Sequence, residues 1–163
     1  MNNLKKDYIV AIGSSNIDIL GKSNNKIVLN DSNPSEIIIT PGGVVRNIAE
    51  NIVLLKNDCH LITVFGNDDF GNYLKKESVN KGIKIDNSIT IKNAESAIYI
   101  SVNNHHGEML VALNNTTILN NLTPNFLKTK ESILLNASAI VIDANLSQET
   151  INFICKEFKH KYI

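Results

Sequence analysis

Runs of nearly uninterrupted apolar residues recur along the chain. Tyr8-Ile9-Val10-Ala11-Ile12 ends at Gly13, Cys59-His60-Leu61-Ile62-Thr63-Val64-Phe65 ends at Gly66, and Ala139-Ile140-Val141-Ile142 ends at Asp143. Runs this short and unalternating read as strands buried on both faces of a parallel sheet. After the first run, Val44, Val45, Ile48, Ile52 and Leu55 return at helical spacing, which predicts a helix from Gly42-Gly43 to about Lys56. After the second, Asp68-Asp69-Phe70-Gly71 opens a helix through Leu74 and Val79 that stops near Gly82. Ser147-Gln148-Glu149 starts a last helix with Ser147 as its N-cap. Strand, helix, strand, helix in this order predicts an α/β fold around a parallel sheet with right-handed crossovers.

Other stretches break that rhythm. Lys22 to Asn33 is polar and turn-rich, and Glu36-Ile37-Ile38-Ile39-Thr40 is extended. Ile83 to Ile91, Ala97 to Val102 and Met109 to Leu113 are short extended segments, with a hairpin loop at Asn103-Asn104-His105-His106-Gly107-Glu108. They either build a small accessory sheet or extend the main one. Neither an internal repeat nor a low-complexity linker interrupts the chain.

Composition narrows the class. At 163 residues the chain has room for one well-cored domain. Lys+Arg and Asp+Glu are both 16, so no basic excess draws it to nucleic acid or an anionic membrane. The start, Met1 to Asp7, leads into an apolar run too short for a secretory signal or a membrane span, so the expected location is cytoplasmic. Cys59 and Cys155 share no CxxC spacing and read as free thiols of a reducing compartment. His105-His106 lacks further ligands at metal-binding spacing, so no metal site is expected. There is no GxxxxGK[ST] and no GxGxxG; Gly13-Ser14-Ser15 lacks the later glycines.

Three polar clusters fall at the carboxyl ends of the predicted strands, where open α/β sheets bind ligands. Asn16 and Asp18 alternate in extended backbone, so both point to one side; the carboxylate accepts from sugar hydroxyls and the amide donates and accepts. An Asx turn closing the strand would use the same residues. Gly42 and Gly43 expose backbone before a helix start, with Arg46 and Asn47 in its first turn. The alternative there is a glycine turn into a surface helix with Arg46 solvated. Asp143 and Asn145 form the third cluster, and they also suit the cap region before Ser147.

Together these segments resemble the ribokinase-like (pfkB-type) carbohydrate kinases. Gly13-Ser14-Ser15-Asn16-Ile17-Asp18 is similar to the first-strand motif, and Pro41-Gly42-Gly43 through Asn47-Ile48-Ala49 to the family's first signature. Val64-Phe65-Gly66-Asn67-Asp68-Asp69-Phe70-Gly71 resembles a third element, and the three occur in the family's order. The resemblance implies a partial doubly wound, mostly parallel sheet with a small β-lid. Residues 1–163 would be the N-terminal portion of one such domain, with lid segments at about 19–40 and 95–115.

Within the family the similarity is to the pseudouridine kinases, through Gly42 to Asn51, Asp31-Ser32-Asn33-Pro34 and Gly107 to Ala112. Ribokinases and fructokinases usually carry a small residue where Arg46 stands. The implied activity of a full-length parent is ATP-dependent phosphorylation of the 5′-hydroxyl of a ribosyl nucleoside, with pseudouridine the expected substrate. Another sugar kinase, or a non-catalytic nucleoside-binding or dimerising module, is the alternative. The resemblance assigns Asn16, Asp18, Gly42, Gly43, Asn47 and Asn145 to the sugar. Arg46 goes to the base or the incoming phosphate, or else to a surface ion pair with Glu50. The family's catalytic Asp, glycine-rich anion hole and Mg2+-linked element have no counterpart in this sequence. The chain alone is therefore expected to bind neither ATP nor Mg2+ and to be inactive. A homodimer through the lid or an exposed sheet edge is expected.

Overall fold

The structure is a computed structural model that describes residues 7–163; the reading of the first six residues lies outside them. In chain order the elements are β1 (Tyr8–Ile12), β2 (Asn16–Ser23), β3 (Ser35–Gly42), α1 (Val44–Leu54), β4 (Asp58–Ile62), β5 (Val64–Gly66) and α2 (Asp69–Asn80). There follow β6 (Ile89–Ile91), β7 (Ile98–Asn103), β8 (Met109–Asn115), a 3-10 turn (Thr117–Asn121), α3 (Pro124–Lys128), α4 (Glu131–Asn136), β9 (Ala139–Ile142) and α5 (Gln148–Glu157).

The three apolar runs do meet. β1 lies between β4 and β9, parallel to both. Alternate residues of these strands face opposite cores. Ala11, Cys59 and Leu61 pack on Val45 and Ala49 of α1, whereas Val10, Ile12, Ile62 and Ile140 pack with Leu127, Leu134 and Ile154 from α3, α4 and α5 and with Phe158 just after α5. Helices thus cover both faces of the parallel sheet. No helix among the described residues is long and apolar enough to cross a membrane.

Two local expectations change. The run from Cys59 to Phe65 is not one strand. It breaks at Thr63, whose hydroxyl donates to the Gly13 carbonyl at 2.6 Å and whose N–H donates to Ser88 Oγ at 3.1 Å. β4 therefore pairs with β1, while β5 pairs with β6. The buried stripe of α1 is also rotated from the predicted one. Val45 and Ala49 reach the core, whereas Val44 is 54% exposed and Leu54 and Leu55 face outward. Small Ala49 lets the helix lie close to Ala11, and the Arg46 N–H donates to the Ser14 carbonyl at 3.1 Å, which sets its rotation.

The accessory strands divide. The segment at Lys84 lies along β4, with the Leu61 N–H donating to the Lys84 carbonyl at 2.8 Å. β7 and β8 instead join β2 and β3 in a four-stranded sheet of order β3-β2-β7-β8. Its inner end rests on α2 through Ile17, Ile19, Ile98, Phe65, Phe70 and Leu74. Its edge strands β3 and β8 carry Ile37, Ile39, Val111 and Leu113 exposed. The sequence reading assigned nothing to 117–136. The short α3 and α4 there are too brief to show a helical stripe, and Thr123 caps α3 by accepting the Phe126 N–H.

Candidate functional site

β1 ends below the point where the chain turns through Gly13-Ser14-Ser15 into β2. Because β2 pairs antiparallel with β3, and β3 leads straight into α1, Asn16 and Asp18 come to lie opposite Gly42 and Thr40. Asn16 Nδ2 donates to Asp18 Oδ1 at 2.6 Å, leaving Asp18 Oδ2 for other donors. The carboxylate occupies the space a side chain on residue 42 would need, since a Cβ there would collide with all three of its terminal atoms. Gly42 thus makes room for Asp18. Gly43 has φ +101, and its bare Cα lies against the Ser14 carbonyl and Ser15 Cα. That conformation and that approach both need glycine. It brings the start of α1, which has no side-chain cap, against the turn after β1.

The register then adds residues the sequence reading did not single out. Asp18 pairs with Tyr99 of β7, and Tyr99 with Asn114 of β8, so these side chains share one row and one face. They line a cavity of about 380 Å3 together with Ser14, Asn16, Gly43, Val44, Asn47, Thr116 and Asn145. Of the residues predicted for the site, Asn16, Asp18, Gly43, Asn47 and Asn145 meet there, whereas Gly42 and Arg46 do not line it. No local signal marks Tyr99, because Ile98 and Ile100 on either side read simply as strand. The pairing that puts it opposite Asp18 joins residues distant in sequence.

Asp143 is used up beside the cavity. Its Oδ2 accepts from Ser14 N at 2.9 Å and Ser14 Oγ at 2.5 Å, and its Oδ1 accepts the Asn145 N–H at 2.9 Å. It ties the ends of β1 and β9 and sets Asn145 at the rim. The cap of α5 is Ser147, whose hydroxyl accepts the Thr150 N–H.

Arg46 is 2% exposed. Its Nη1 donates to Asn47 Oδ1 at 3.0 Å, and its Nη2 lies 2.8 Å from Glu50 Oε2 in an ion pair off the N–H direction. The pair with Glu50 therefore joins a buried guanidinium to a partly exposed carboxylate. Lys81 reaches Glu50 Oε1 at 2.9 Å. That hydrogen bond, against the cost of burial and with the charge of Arg46, holds the Glu50 carboxyl below its usual value.

The lining supplies amides, hydroxyls, one carboxylate, an aromatic ring and an apolar Val44. Such a donor set suits a neutral hydroxylated molecule with a flat part. It does not fit the triphosphate of a nucleotide with Mg2+: no Lys or Arg lines it, and Asp18 is its one carboxylate. Among the described residues no group of three or more His, Cys, Asp or Glu is placed to hold a metal ion.

The family model for pfkB family carbohydrate kinases matches residues 6–162. Pseudouridine kinase of Escherichia coli (strain K12) is 39% identical over 150 residues, covering 92% of this chain and 48% of that protein. The chain thus spans about half the length of the curated relatives it matches. A candidate sugar kinase from Clostridium perfringens superposes with a TM-score of 0.86 at 28% identity, over 97% of this chain and 50% of that one. Ribokinase from Giardia lamblia superposes with a TM-score of 0.81 at 19% identity, over 94% of this chain and 50% of that one, a likeness of fold.

Proposed function

The chain belongs to the pfkB family of carbohydrate kinases and has a ribokinase-like fold, and from that premise we propose that its cavity holds the ribosyl nucleoside of an ATP-dependent kinase. The observation that carries this reading is the row Asp18, Tyr99, Asn114 lining one cavity together with Asn47. Asp18 accepts a hydrogen bond from a ribose hydroxyl, while Asn16, Asn47 and the Gly43 backbone supply further polar partners. Tyr99 and Val44 wall the flat base, Asn114 and Thr116 meet its edges, and Asn145 meets the sugar. The identity to a pseudouridine kinase favours pseudouridine as the base-bearing substrate. The reaction in the whole protein is transfer of a phosphoryl group from ATP to the 5′-hydroxyl.

Such transfer needs a base near the attacking oxygen and positive charge at the phosphates. The cavity lining described above offers no cation, and its one carboxylate, Asp18, is committed to the ribose in this reading, so in this proposal other parts of the whole protein bring ATP, Mg2+ and the catalytic base. Segments 19–40 and 95–115 act as a lid over the ribose, and the exposed Ile37, Ile39, Val111 and Leu113 pair two lids in a homodimer. Calorimetry of the 163-residue chain with pseudouridine, ribose and ATP tests the reading. Pseudouridine binding tighter than ribose, with ATP silent, is expected. In a full-length protein, near-normal kcat/KM of Asp18→Ala or Asn47→Ala would overturn it. The absence of a cation from the cavity lining favours, as second reading, a module that binds without turnover; phosphorylation of pseudouridine by the whole protein decides against that.

A further inference from the structure

Arg46 is a buried cation one residue from a cavity it does not line. Its contacts run in one direction. Lys81, next to the end of α2, holds Glu50; Glu50 holds Arg46; and Arg46 Nη1 donates to Asn47 Oδ1 at 3.0 Å. A guanidinium has donors only, whereas an asparagine amide has one oxygen acceptor and one NH2 donor. The bond therefore fixes which way the Asn47 amide faces. With Oδ1 turned toward the guanidinium, the Nδ2 hydrogens are what this orientation of Asn47 offers the cavity.

We infer that Arg46 is a positioning residue that holds the Asn47 amide as a hydrogen-bond donor to a ligand hydroxyl oxygen, rather than a contact to base or phosphate. This rests on the cavity being a ribose site. Asp18 in the same cavity is an acceptor, so the two side chains are complementary in polarity, and a hydroxyl can serve both. The ion pair with Glu50 compensates the buried charge of the guanidinium and holds it in place. A neutral residue in its position would leave the amide free to turn, presenting oxygen to oxygen in one of its two orientations.

The test is a double-mutant cycle on the full chain, with pseudouridine titrated by NMR. Arg46→Met should weaken binding about tenfold, the order expected for one misdirected hydrogen bond to the ligand. Arg46→Lys should recover part of it. In the Asn47→Ala background Arg46→Met should change nothing further. An equal loss in that background overturns the positioning role. If Asn47→Ala itself binds pseudouridine normally, it is the ribose reading that fails. A ligand-free measurement is independent of that reading. The Asn47 Nδ2H2 signals, identified by their absence in Asn47→Ala, should shift in Arg46→Met and return part of the way in Arg46→Lys. Unmoved signals in a folded Arg46→Met protein also overturn the inference.

Discussion

Asp68 grips Ser96 with both carboxylate oxygens. Oδ1 accepts from Ser96 Oγ at 2.6 Å and Oδ2 accepts the Ser96 N–H at 2.8 Å, while Oδ1 also caps α2 through the Gly71 N–H at 2.7 Å. One side chain thus joins the end of β5, the start of α2 and the segment entering β7. The aspartate of the Val64 to Gly71 motif is a fastening for the strand that carries Tyr99. Asp68→Asn turns an acceptor into a donor facing N–H, and should cost about 1–3 kcal/mol of stability, read from urea unfolding.

The same carboxylate sets an acid limit. Burial opposes its ionisation, but the bonds from Ser96 and Gly71 outweigh that and hold it below the usual carboxyl value. A depressed folded value means that its contribution is present above the unfolded value and lost as pH falls through the folded one. Unfolding midpoints should drop below about pH 4, and Asp68→Asn should flatten that drop.

Gly42→Ala tests the room made for Asp18. The new methyl would overlap the carboxylate, so Asp18 must leave its place or β3 must shift. The expected cost is about 1–3 kcal/mol, with loss of nucleoside binding even in protein that remains folded. Normal binding by calorimetry would show that Asp18 is not held where the cavity needs it.

His60 predicts a second pH effect at a distance from the site. Burial first, and then the charge of Lys84, lower its pKa, with Asp58 and Asp86 opposing. Its Nδ1 is buried without a hydrogen-bond partner and its ring meets Tyr8 edge-on. The unfolded chain therefore takes up its proton at a higher pH than the fold does. Stability should decline as pH falls below about 6.5, and His60→Gln should remove that component between pH 7.5 and pH 5.5 in urea titrations, roughly the span of a histidine titration.

Tyr99→Ala separates base from sugar. Loss of a stacking ring should weaken pseudouridine binding by about 1–2 kcal/mol and leave ribose binding unchanged. Equal losses for both would place the ring against the sugar instead.

The three buried strands, both main helices and their starts were legible because each is a local signal: a short apolar run, a 3.6-residue stripe, a cap such as Ser147. The turn residues around Gly42-Gly43 were legible for the same reason. The rotation of α1, the break at Thr63 and the short α3 and α4 were not, because packing against other segments decides them.

The sequence by itself determined which residue types stand at strand ends and helix starts, and so the polar floor of Asn16, Asp18 and Asn47. Only the tertiary structure decided what faces that floor. Tyr99, Asn114 and Thr116 reach it through a register between strands far apart in the chain. It also decided the fate of the charges, turning Arg46 inward to Asn47 and Glu50 and spending Asp143 on Ser14. Spacing along a chain specifies which side of a strand or helix a residue occupies; which neighbour then satisfies its hydrogen bonds depends on how the elements pack.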